Sequence, residues 1–220
     1  MNNSTTNELL KSLETLYTKA KYQEAIDLLL KNKESFDPGL FHYNLGSLYL
    51  KNKNLPVARF HLEKAYHLGF QVEEVLNNIK VTEAGLDLST LESSGNQFTD
   101  NFYQALFLPA SYMVGYFLMI SLIVLWIKKW KKVSWLATSL FFLLLVSPLI
   151  VKFSLSQSLN VAVALKASHS KEGPSAIFEN NHDIPAGLRL IVTKPKEGWY
   201  FIQYPTHLSG WIKSEDLGIM

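Results

Sequence analysis

The sequence contains no cysteine. Disulfides, thiolate metal ligands and cysteine nucleophiles are therefore excluded, although that absence does not identify a compartment. Catalytic motifs are missing too: there is no Gly-x-Ser-x-Gly, no phosphate loop and no dinucleotide fingerprint. Six histidines, His42, His61, His67, His169, His182 and His207, fall at no zinc spacing. These absences predict a non-enzyme without metal or cofactor. A one-sided charge is also lacking. Residues 1–84 hold ten basic and ten acidic side chains and residues 160–220 six of each, so neither end offers the basic face a nucleic acid requires. No secretory signal is visible in the first thirty residues, which are polar and charged throughout.

Lys and Arg are absent between Val81 and Ile127. What fills much of that gap is apolar. Residues 105–127 and 133–151 carry no charge, and Lys128, Lys129, Lys131 and Lys132 sit between them. At about 1.5 Å per residue each run is long enough to cross a hydrocarbon core of about 30 Å, and the short connection folds the second beside the first. The alternative, two buried helices of a soluble core, lacks the polar face such helices carry. The sequence thus predicts a membrane hairpin, with spans at 105–127 and 133–152 and the lysine loop 128–132 facing the cytoplasm. Both ends then lie outside an inner membrane. Without a signal peptide, either the first span translocates the tail ahead of it or the natural start lies upstream.

Residues 6–84 read as helices. Leu9, Leu10, Leu13, Leu16 and Tyr17 recur at spacings of three and four. Tyr22 opens a second helix, the Phe36–Gly39 turn ends it, and further helices span about 40–51, 55–68 and 72–84. Pro56 stands in a first turn, and Gly69 is placed to cap the fourth helix. Leu45-Gly46, Tyr49, Ala58, Leu62 and Ala65 stand at the spacing of paired helices, and Asn78-Ile79 follows Asn44-Leu45 by one repeat period. This stretch resembles a short tetratricopeptide domain, two repeats and a closing helix over residues 1–84. The resemblance implies a concave groove for peptides or partner proteins, lined by Asn44 and Asn78; the alternative is two solvated asparagines. Residues 85–104 read as a flexible linker.

From Asn160 onward the texture is β, with short strands at 161–165, 176–178, 188–192, 199–202 and 210–212 separated by Gly/Pro turns. Five short strands predict a small, partly open barrel. Gly173-Pro174-Ser175, Gly187, Gly198-Trp199-Tyr200 and Gly210-Trp211-Ile212 give residues 160–220 a resemblance to bacterial SH3-like domains, with Lys171 where that family often has arginine. The resemblance implies peptide binding. Trp199 and Trp211 read as scaffold more than contacts, and Tyr200 and Tyr204 as the better candidates for an exposed face.

Helical repeats, a two-span hairpin and an SH3-like barrel together resemble the BatE-like proteins of the bacterial Bat (aerotolerance) system. The expected fold class is thus a multidomain membrane protein: all-α repeats, a transmembrane hairpin and an all-β barrel. The implied function is a non-enzymatic inner-membrane scaffold. Its expected partners are the lipid bilayer and other proteins or peptides, among them von Willebrand A-type membrane proteins. The alternative is a cell-wall sensor or anchor whose barrel binds peptidoglycan peptide.

Overall fold

A computed structural model describes residues 3–106, 110–130 and 134–220. Among them are eight α-helices: α1 (Asn3–Thr18), α2 (Tyr22–Lys31), α3 (Pro38–Lys51), α4 (Leu55–His67), α5 (Glu73–Leu86), α6 (Gln97–Leu106), α7 (Ala110–Trp130) and α8 (Trp135–Ser156). Seven strands follow: β1 (Leu159–Ala164), β2 (Ser168–Lys171), β3 (Asn180–Ile184), β4 (Arg189–Thr193), β5 (Trp199–Tyr204), β6 (Gly210–Lys213) and β7 (Leu217–Ile219). The chain divides into two compact units, residues 1–93 with 161–220, and residues 94–160.

In the first unit, local chemistry sets the helix ends. Asp37 caps α3, its carboxylate accepting from the Gly39 and Leu40 amides at 2.9 and 3.2 Å, with Pro38 opening the helix. Asn54 caps α4 through the Val57 amide. Gly69 takes a φ of +93° just after α4, a conformation that costs glycine nothing. Ala25, Ile26, Leu29, Phe41, Leu45 and Leu48 form one core between α2 and α3, with Leu13 and Leu16 of α1 against it. Ala58, Leu62 and Ala65 of α4 are fully buried. A Cβ on Gly46 would come within 2.6 Å of Leu62 Cγ, so the close crossing of α3 and α4 depends on that glycine.

The strands form one antiparallel sheet in the order β3-β2-β6-β5-β4-β1-β7. This replaces the expected five-stranded barrel. Ala176–Phe178, expected as a strand, forms a turn. Lys171 Nζ donates to the Phe178 carbonyl and to Asn180 Oδ1, and the Phe178 ring lies where a Cβ on Gly173 would stand. The sheet's core is Ala162, Ala164, Ile184, Leu188, Leu190, Val192, Ile202, Leu208, Ile212 and Leu217.

Helices and sheet are joined. Arg59, 2% exposed on α4, donates through Nε to Glu63 (2.7 Å) and through Nη1 to the Gly187 carbonyl (3.0 Å). Its Nη2 reaches Glu83 (3.2 Å) and Glu92 (3.1 Å), and Nη1 also bonds Glu92. Glu92 in turn accepts from the Arg189 amide at 2.9 Å. Lys64 Nζ donates to the Ile219 carbonyl, while Phe60 packs on Gly218 and Leu86 on Gly187. Burial alone would lower the Arg59 pKa, but Glu63 and Glu92 outweigh it and hold the guanidinium charged. Residues 85–93, expected to be flexible, therefore belong to a packed joint; Leu88 also lies against the sheet core.

The second unit corrects the membrane reading. Of the apolar run 105–127, Ala105 and Leu106 belong to α6, residues 110–127 belong to α7, and the three residues between lie outside the described ones. Lys128 and Lys129, expected in a loop, belong to α7, and α8 runs on through Lys152 to Ser156. Lys131 and Lys132 lie outside the described residues. Among the described residues, no helix is long and apolar enough to cross a membrane. That finding overturns the transmembrane hairpin, the membrane fold class built on it, and the inner-membrane localisation with both ends outside.

Candidate functional site

Three helices shape a groove of about 830 Å³, lined from α1, α3 and α5. Spacings of three and four place side chains of one helix on one face, and each helix contributes that way. Leu10, Leu13, Glu14 and Tyr17 come from α1; Tyr43, Asn44, Ser47, Leu48, Leu50 and Lys51 from α3; Glu74, Asn77, Asn78 and Val81 from α5. Asn44 and Asn78 thus line the same groove. Asn78 Nδ2 donates to Ser47 Oγ at 3.2 Å, and its carbonyl accepts from Thr82 Oγ1 at 2.7 Å. The Asn44 amide makes no hydrogen bond with a described residue. The lining is mixed: leucines, Val81 and two tyrosine rings for apolar contact, and three amides and a hydroxyl for a polar backbone.

Sequence reasoning found two of these residues and missed their neighbours. Ser47 lies one turn after Asn44, and Glu74 one turn before Asn78, so the helical period pointed to both once the asparagines were singled out. Glu14 and Tyr17 lie on α1, the first helix of the first repeat: one period of about 34 residues before Asn44 is Leu10, which lines the same groove, so the repeat also pointed to α1.

On the sheet, the four aromatic candidates do not converge. Pairing of Tyr200 with Ile212 and of Phe201 with Trp211 puts Tyr200 on the core face and Trp211 on the other. Tyr200 packs against the sheet core. Trp211 is half-buried and meets Phe201 edge-on at 5.4 Å. Trp199 is buried and borders a cleft of about 270 Å³ with Lys166, His169, Lys171 and Lys213, which the other three do not line. Tyr204 is half-buried at the end of β5.

Behind the groove, His42 and His61 face each other with Nδ1 atoms 2.8 Å apart, and Tyr49 stacks on His61. One nitrogen donates and the other accepts, so the two rings cannot both be protonated. Burial, then the charges of Lys64 and Lys33, lowers the His42 pKa to about 4. Burial, then His42 and Lys64, lowers that of His61 to about 3. Among the described residues, no group of three His, Asp or Glu could hold a metal ion.

Compared with family models, with curated proteins and with solved structures, the chain matches none. The tetratricopeptide, SH3-like and BatE-like resemblances, and the von Willebrand A-type partners implied by the last, therefore gain no support from relatives.

Proposed function

We propose that the groove of α1, α3 and α5 captures an extended segment of another protein, and that the chain acts as a non-enzymatic adaptor. The observation that carries this reading is the joint placement of Asn44 and Asn78 on one groove with apolar and aromatic neighbours. A volume of about 830 Å³ lies within the range of about 300–1,000 Å³ typical of ligand sites. An extended peptide offers a carbonyl and an amide at every residue, and the Asn44 amide has both a donor and an acceptor to meet them.

A displayed random-peptide library panned on the full chain tests this. Enriched peptides are resynthesised and their affinity measured on the wild type and on Asn44→Ala. One lost hydrogen bond predicts an affinity about two- to tenfold weaker. A library that yields no binder, or binders indifferent to Asn44→Ala, would move recognition away from this groove.

A further inference from the structure

We infer that the segment captured by this groove is basic, with Lys or Arg side chains set among apolar ones. This inference rests on the groove reading and adds the chemistry of its occupant. Glu14 of α1 and Glu74 of α5 both line the groove and are exposed. Neither carboxylate has an ion-pair or hydrogen-bond partner among the described residues. Among the described residues of the lining, Lys51 is the only cation, beside two carboxylates. Residues 1–84 as a whole are neutral, with ten charges of each sign, so the acidic excess is local to the groove.

The remaining lining suits the same ligand. A lysine or arginine lays its alkyl stem on apolar surface while its charged head reaches a carboxylate, and Leu10 and Leu13 stand on the same helix as Glu14. Tyr17 and Tyr43 add ring faces that attract a cation. An acidic segment would meet like charge, which is the means by which grooves reject wrong partners. A first-turn acid such as Glu74 also stabilises its own helix. That role makes no demand on ligand charge, and so the two roles separate by experiment.

Three labelled peptides with one apolar frame, carrying Lys, Gln or Glu at the same positions, are titrated against the full chain by fluorescence anisotropy. The Lys peptide is expected to bind at least about tenfold more tightly than the Glu peptide, a difference of about 1.4 kcal/mol, and to weaken as salt is raised. Glu14→Gln with Glu74→Gln should shrink that preference to about threefold or less. Glu14→Lys with Glu74→Lys should invert it, and melting curves confirm that each variant is folded. Asn44-dependent binding without charge preference overturns the basic occupant and leaves the groove reading standing. Absence of any Asn44-dependent binding overturns both.

Discussion

Asn44 and Asn78 are equivalent by repeat period, yet their surroundings differ. Asn78 holds α5 to α3 through Ser47, whereas the Asn44 amide is free to meet a ligand. Asn78→Ala should therefore cost about 0.5–1.5 kcal/mol in a urea melt, and Asn44→Ala no more than about 0.5 kcal/mol. Equal costs would mean that the Asn78–Ser47 bond contributes nothing. The His42–His61 pair sets a second residue-scale expectation. Both rings are held neutral at pH values where the unfolded chain binds protons. Their contribution to stability is thus complete above about pH 6.5 and is lost as pH falls toward about 4. The loss is at most about 1.4 kcal/mol per pH unit for His61, and less for half-exposed His42, whose charge water screens. His42→Gln with His61→Gln should flatten the dependence of the melting temperature on pH between about 6.5 and 4.5. A slope identical to wild type would assign that dependence to other groups.

At the scale of elements, the α3–α4 pair makes the sharpest demand. Gly46 admits no Cβ against Leu62, and Ala58 is fully buried. Gly46→Ala and Ala58→Phe should each destabilise by about 1–3 kcal/mol, read from denaturant midpoints at constant m. An unshifted midpoint would show that the helices separate without cost. These helices were legible because three signals agree: apolar spacing, the Phe36–Gly39 turn with Pro56 in the next first turn, and Gly69 after α4, whereas the Asp37 and Asn54 caps were not read from the sequence. The sheet was legible only where it is apolar. β2, Ser-His-Ser-Lys, and most of β3, Asn-Asn-His-Asp, carry no hydrophobic alternation, because they pair at an edge and need bury little. The apolar run 105–127 misled for the opposite reason. Hydrophobicity marks what avoids water and is silent on the helix to which a residue belongs: Ala105 and Leu106 are part of α6, with polar Gln97–Gln104 before them. Leu118, Leu122, Leu136 and Leu143 stay exposed on α7 and α8. The groove was half legible: the repeat period located Asn44 and Asn78 and, one period earlier, Leu10 of α1, but the side chains around them repeat no residue type.

On the scale of the first unit as a whole, one side chain ties the two ends of the sequence together. Arg59 spends its donors on Glu63 and Glu83 of the helices, on Glu92 of the connection and on the Gly187 carbonyl of the sheet segment. Composition could not announce this, because a lone arginine among ten basic residues reads as surface until its partners arrive from positions 83, 92 and 187. Removing it leaves Glu63 buried and Glu92 without its cation, which costs about 3–5 kcal/mol. Lysine is a poor substitute, since a single ammonium cannot reach carboxylates and a carbonyl from several directions at once. In the wild type, the most protected amides of α4 and β4, for example Leu62 and Leu190, should exchange through one shared opening free energy, as a single cooperative unit does. In Arg59→Ala and Arg59→Lys the two values should separate, one segment opening before the other. Native-state hydrogen exchange at these amides in the full chain measures it directly. If the values stay equal in both variants, the apolar contacts of Phe60 with Gly218 and of Leu86 with Gly187 are sufficient to couple helices and sheet, and the guanidinium is a passenger in a joint that packing already holds.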